Sequence, residues 1–183
     1  MLSHSLVLRV KPRVPSIDSV VDLGDGLRGI AVAPDTSFYV GVNHEDGSSE
    51  VLHVPRGAIA GEPVPVAAPL VLGHIRAIAL EADGRLLIAT ALRGEPDPLS
   101  QVWGSIVRVD PATGAGTAFD LPDRIVAGGM TVDADGSIVM VTALGLLPGG
   151  TVLRMDRATG RTTRIAVAPE FASSSSLAVI PLQ

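Results

Sequence analysis

The sequence predicts an all-β fold in which one four-stranded antiparallel sheet recurs along the chain. Three observations carry that reading. Twenty glycines and fourteen prolines are spread through 183 residues rather than gathered in a block, as suits short strands joined by turns. Four apolar tetrapeptides, Gly29-Ile30-Ala31-Val32, Ala77-Ile78-Ala79-Leu80, Gly129-Met130-Thr131-Val132 and Ser176-Leu177-Ala178-Val179, return along the chain, at a step of about 50 residues that marks a repeat architecture. After each of the first three comes a turn signal, Pro34-Asp35, Asp83-Gly84 or Asp135-Gly136; Asp-Gly between apolar runs is a hairpin signature because Gly reaches positive φ without steric cost.

Each element follows from this register. The tetrapeptides are the first strand of a unit, A, and the turns lead into strand B at 38–42, 86–90 and 138–142. Several of these runs are apolar throughout, as expected where both faces of a strand are covered. Strand C follows at 50–54, 105–109 and 151–155. Two of these end in Asp110-Pro111-Ala112-Thr113-Gly114 and Asp156-Arg157-Ala158-Thr159-Gly160, turns in which Asp accepts a backbone N–H and Gly takes the left-handed conformation. Strand D is placed at 64–67, 117–120 and 162–167. Upstream, LVLRV at 6–10 matches strand C and 19–23 matches strand D; downstream, 177–180 matches strand A. No window holds an apolar stripe at helical spacing.

A four-stranded antiparallel unit at this period is a β-propeller blade. The expected organisation is a single domain, 1–183, with blades at 28–67, 76–120 and 128–167 and a split blade from 5–23 and 176–181. Three complete blades plus a split fourth form either a four-bladed ring or an open partial propeller, the latter completed by a second copy or belonging to a larger propeller. A β-sandwich of the same hairpins is the structural alternative, but it does not require the turns to recur in register.

Composition excludes several classes. The net charge is −5, with three Phe, one Tyr and one Trp; without a basic stretch or a row of stacking aromatics, nucleic acid is not a partner. No Cys is present, so there is neither a disulfide framework nor a thiolate zinc site. The N-terminal charges Arg9, Lys11 and Arg13 lie within or after the short apolar run rather than before it, unlike a signal peptide, and no apolar stretch approaches the roughly 20 residues of a membrane-spanning helix. The expectation is a soluble chain that does not bind membranes; the cytoplasm is favoured, while a cysteine-free sequence leaves the compartment open.

The runs AIALEADGRLLIATAL…GSIVRVDPATG and GMTVDADGSIVMVTAL…GTVLRMDRATG resemble blades of the gluconolactonase/regucalcin and NHL-type propellers, the group that includes streptogramin lyase. The resemblance covers most of 26–167 and rests on turns and core strands. It implies that A–B and C–D turns lie on one face, while B–C loops and D-to-A crossings surround the channel on the other. It also implies one divalent cation (Ca, Mn or Zn) held by oxygen ligands, able to polarise a lactone carbonyl and activate water. Position by position the match is thin. After strand B stand Asn43, Ala91 and Ala143; ahead of strand A stand Arg28, Arg76 and Gly128.

Candidate site residues accordingly sit on the loop face. Asn43, Glu45 and Asp46 are the candidate metal ligands, and His44 beside them supplies an acid/base group; the same Asn-His-Glu-Asp-Gly cluster also reads as a solvated turn. Arg28 and Arg76 occupy one repeat position, and with His74 can receive a carboxylate or phosphate, or else pair with Asp25, Glu45 or Glu81. Trp103, on the long B–C loop, is a ligand anchor or an inter-blade plug. Arg108 and Arg154, matched on strand C, read as structural. The expected function is a ligand- or protein-binding propeller module using this loop face for a small molecule or protein, with a metal-dependent lactonase as the alternative and a homo-oligomer as one way to complete the ring.

Overall fold

The computed structural model describes residues 6–10, 17–22, 26–67, 70–92, 103–121, 125–144 and 150–167. Fourteen strands and no helix occur among them. β1 (Leu6–Val10) and β2 (Ile17–Asp22) form an antiparallel pair. Three four-stranded sheets follow, each antiparallel and each in simple sequence order. Sheet 1 comprises β3 (Leu27–Val32), β4 (Phe38–Asn43), β5 (Ser49–Val54) and β6 (Glu62–Pro63). Sheet 2 comprises β7 (His74–Leu80), β8 (Leu86–Leu92), β9 (Trp103–Val109) and β10 (Gly116–Asp120). Sheet 3 comprises β11 (Val126–Val132), β12 (Ile138–Leu144), β13 (Thr151–Met155) and β14 (Thr162–Val167).

These are the A-B-C-D units read from the sequence, with one correction. The first strand D is the two-residue β6 at Glu62–Pro63 instead of 64–67. Pro63 and Pro65 carry no N–H, so an outer strand there cannot sustain a ladder; Val64 N–H still reaches Val51 O at 2.8 Å. The expected strand at 177–180 lies outside the described residues.

The sheets stack in series, which rules out two facing sheets of a sandwich. β7 packs on β3, β4 and β5, and β11 packs on β7, β8 and β9. Sheet 2 is therefore covered on both faces, and its residues alternate accordingly. Ile78, Leu86, Ile88, Val107 and Val109 join the core shared with sheet 1. Ala77, Ala79, Leu87, Ala89 and Ile106 join the core shared with sheet 3. Leu86, Leu87, Ile88, Ile106, Val107 and Val109 are fully buried, and each such side chain contributes about 1.5–3 kcal/mol of transfer free energy. The seams between blades, more than the hairpins, hold the array.

The turns at one end are near copies. In each A–B turn two crossed backbone bonds close the loop, as in Glu81 N–H to Arg85 O (2.8 Å) and Asp133 N–H to Ser137 O (2.8 Å). Gly84 and Gly136 sit there at φ +85° and +82°. The first unit has Thr36 at that place, at φ +70°, a conformation costly for a β-branched residue. Strand-C arginines brace these turns, as the sequence implied. Arg108 pairs with Glu81, and its Nη2 lies 3.0 Å from Asp83 Oδ2; Arg154 Nη2 lies 2.8 Å from Asp133 Oδ2 and 2.6 Å from Asp135 Oδ2. In sheet 1 the equivalent residue is His53, stacked on Tyr39 with centroids 4.8 Å apart.

Candidate functional site

Strand A is interrupted at the same place in all three sheets. Arg28 and Gly29 together oppose Gly41, Arg76 and Ala77 oppose Ala89, and Gly128 and Gly129 oppose Val141. Each is a β-bulge, a device that re-aims side chains and bends the strand. The first bulge also lets two inner strands touch. Gly29, at φ +67°, has no room for a Cβ, which would stand 2.7 Å from Ile78 N and 3.0 Å from Ala77 Cα. With about 3.8 Å between successive Cα atoms, this contact holds the Cα atoms of Arg28 and Arg76 within about 12 Å of each other, a gap that two extended arginine side chains can bridge.

Arg28 is exposed and its Nη1 donates to Leu27 O at 2.8 Å. Arg76 is half-buried. Among the described residues neither guanidinium has a carboxylate partner. Glu81, one of the partners considered from the sequence, is occupied elsewhere: it pairs with Arg108, and Arg157 Nη1 of the next blade stands 2.7 Å from its Oε1, without hydrogen-bond alignment. Glu45 pairs with neither arginine, and Asp25 lies outside the described residues.

Asn43 is the best-connected polar side chain at this end. It is buried at the end of β4, and its amide reaches across the seam to β7. Its Oδ1 accepts from Ile75 N–H (2.8 Å) and from Ser49 Oγ–H (2.8 Å). Its Nδ2 donates to Ile75 O (2.9 Å) and lies 3.0 Å from His74 Nδ1. The side chain thus imitates a strand residue, bonding both backbone groups of Ile75 and filling its four hydrogen-bonding positions. The repeat-equivalent positions are Ala91 and Ala143, so among the described residues the staple is confined to the seam between sheets 1 and 2.

The other members of the polar cluster serve the β4–β5 hairpin. His44 N–H bonds Ser48 O at 2.8 Å and Gly47 N–H bonds His44 O at 3.1 Å. Asp46 Oδ1 accepts from Ser48 N–H (2.9 Å) and Ser48 Oγ–H (2.7 Å); these bonds, with a smaller effect of His44, hold its carboxyl below the usual range. His44 Nε2 is 2.9 Å from Glu50 Oε1 at the surface. Glu45 projects at the exposed turn. Among the described residues no three His, Asp or Glu side chains gather as a cation site. The lone pairs of Asn43 Oδ1 are taken, so these residues as arranged do not fit a divalent ion.

The structure therefore brings Arg28, His74 and Arg76 to one end of the two touching inner strands, and separates them from His44, Glu45 and Asp46 on the hairpin tip. Trp103 opens β9 opposite Leu92; its side chain lies outside the described residues. Ile75 and Ser49, partners of Asn43, were not singled out from the sequence: Ile75 takes part through its backbone, which leaves no signature in residue type, and the Ser49 hydroxyl stands in a polar turn where any serine is expected.

No protein-family profile matches the sequence, and no curated protein matches it. Solved structures do resemble the fold. A streptogramin B lyase structure superposes with a TM-score of 0.55 at 17% identity, over 84% of this chain and 45% of that one. The virginiamycin B lyase from Staphylococcus aureus gives 0.50 at 16% identity, over 93% and 52%. An ACO/RPE65 chimera gives 0.55 at 14% identity, over 92% and 46%. All are β-propellers, and the chain spans about half the length of each. At such identities the likeness establishes the propeller fold alone.

Proposed function

We propose that this chain is a β-propeller binding module that receives a small molecule or a protein segment on the end formed by its B–C loops and D-to-A crossings. One observation carries the reading: the arginines of strands A and C differ in how they are satisfied at the two ends. At the turn end, Arg108 and Arg154 are clasped by acidic side chains, and Asp110 and Asp156 accept backbone N–H groups of their own turns. At the loop end Arg28 and Arg76 stand without a carboxylate partner among the described residues. Charged groups held without a carboxylate partner where loops join the strands are candidates for a binding face.

The lyases among the solved relatives act by chemistry that fold similarity does not transfer. A divalent-metal hydrolase would need Asn43 Oδ1 to release Ile75 N–H and Ser49 Oγ–H. The test is a ligand screen followed by hydrogen exchange. A bound ligand is expected to protect residues 26–30, 43–49 and 74–78; protection confined to the turns at 33–37, 81–85 and 110–116 refutes the assignment of this face.

A further inference from the structure

The two seams between sheets differ at their turn end. Between sheets 2 and 3, Arg108 of strand C and Arg157 of the next C–D turn both reach Glu81, and Arg108 also holds Asp83 Oδ2. Between sheets 1 and 2 the corresponding residues are His53 for Arg108, Pro111 for Arg157 and Ala33 for Glu81, while Asp35 keeps the place of Asp83. An imidazole and a proline thus stand where the other seam has two guanidinium groups. A cleft of about 340 Å³ opens there, and Tyr39, His53, Glu62, Pro65, Pro111 and Ala112 are among its walls. Its acids are unspent. Glu62 lies opposite His53 on the outer strand and is exposed; among the described residues neither its carboxylate nor the Tyr39 hydroxyl has a hydrogen-bond or ion-pair partner. Asp35 Oδ1 accepts from Ser37 N–H (2.9 Å) and Oγ–H (2.7 Å), as Asp135 Oδ1 accepts from Ser137 N–H. The second oxygen, which in Asp135 meets Arg154, has no partner in Asp35 among the described residues. Burial and then the nearby Asp35 carboxylate hold the Tyr39 hydroxyl above its ordinary range.

We propose that this cleft between sheets 1 and 2 takes the guanidinium group of a small molecule, which stands where Arg108 and Arg157 stand one seam along. Three features point to that group. The charge is right: Glu62 lines the cleft, Asp35 sits on the adjoining turn, and no Lys or Arg is among the lining residues, so a cation meets acceptors and no rival. The chemistry suits a flat cation, since a carboxylate accepts two parallel guanidinium N–H groups and guanidinium is weakly hydrated and lies readily against flat apolar surface. The walls supply that surface, with the stacked Tyr39 and His53 rings and the prolines at 63, 65 and 111 available to an aliphatic stem. The cleft lies at the turn end, away from the contact of Asn43 with Ile75, and does not depend on the loop-face reading.

The experiment uses the whole chain and follows backbone amide shifts at low ionic strength while N-acetylarginine methylamide, its lysine analogue and its neutral norleucine analogue are titrated in turn. With the arginine probe, the amides of Tyr39, His53, Glu62, Val64 and Ala112 should move along one saturable curve at millimolar concentration. The lysine probe, which keeps the charge but not the fork, should bind more weakly, and the norleucine probe should leave these amides in place. Glu62→Gln and Asp35→Asn should each weaken the arginine probe about threefold, the scale of an exposed ion pair. Pro111→Arg, which copies the residue of the next C–D turn, should supply a guanidinium from within and abolish binding. Glu62 is exposed and Asp35→Asn keeps the Oδ1 acceptor for Ser37, so both acid variants should fold, as circular dichroism checks; they test the site even where Pro111→Arg does not fold. Absence of saturable shifts at these amides overturns the proposal, as does equal binding of the lysine or norleucine probe, or binding unchanged in both acid variants or in folded Pro111→Arg. Shifts confined to 26–30, 43–49 and 74–78 would overturn the cleft while supporting the loop face.

Discussion

Replacing Asn43 tests the inter-blade staple directly. Asn43→Ala removes the partners of Ile75 N–H and C=O on a residue that is fully buried. Each buried backbone group left unpaired costs about 1–3 kcal/mol, so with two groups the variant should lose about 2–6 kcal/mol, the lower end applying if water enters the space vacated by the amide. Asn43→Asp is the sharper variant because it is isosteric. One oxygen of the introduced carboxylate still accepts from Ile75 N–H, but the other faces Ile75 O at the 2.9 Å contact and His74 Nδ1 at the 3.0 Å contact, both lone-pair donors. Protonating that carboxyl, or His74, restores a hydrogen at the conflict. The folded-state pKa of the introduced carboxyl is thus raised above the ordinary value of about 3.9. The folded state then binds more protons than the unfolded one, and the variant's stability falls as pH rises through the folded-state pKa. The deficit relative to wild type should be largest at neutral pH and shrink on acidification. Urea denaturation followed by circular dichroism, from pH 4 to pH 8, reads both variants. An Asn43→Ala cost below about 1 kcal/mol, or an Asn43→Asp deficit that does not change with pH, refutes the staple.

Three further outcomes are expected. Thr36→Gly should stabilise the protein by about 1 kcal/mol, since Gly relieves a β-branched residue at φ +70° at a smaller entropic cost; a loss of stability in thermal melts contradicts this. Asp135 has its carboxyl lowered to about 2, chiefly by the Ser137 N–H and then by Arg154. Its contribution should be present above the ordinary 3.8 and vanish as pH falls through about 2, so Asp135→Asn and wild type should converge in stability across that window. Glu81, with its side chain 1% exposed, ties Arg108 of its own blade to Arg157 of the next. Glu81→Ala should cost about 3 kcal/mol or more, as for a broken buried pair, and a double-mutant cycle with Arg157→Ala should return a non-zero coupling across the seam; strict additivity removes the inter-blade role.

The residues divide according to the range of the forces that place them. Strands A, B and C, the Asp-Gly hairpins and the D-x-A-T-G turns were legible because turn geometry and alternating burial are local: Asp156 needs only its own Thr159 and Ala158 N–H groups. The pairing of Arg108 and Arg154 with acids was legible because the repeat places a carboxylate turn beside each. The first strand D was misplaced because apolar residues at 64–67 suggested a strand where two prolines prevent a ladder.

The sequence alone thus determined an array of antiparallel four-stranded blades, since short-range turn chemistry and a fixed repeat leave little else for these residues to build. Only the tertiary structure decided the chemistry of the loop face. Asn43 carries the residue type of a metal ligand, yet the approach of β7 turns its amide into a partner for both backbone groups of Ile75. Arg28 and Arg76 are 48 positions apart in the chain; what makes them neighbours is the contact of Gly29 with Ala77 and Ile78, a missing Cβ whose consequence exists only when two blades meet.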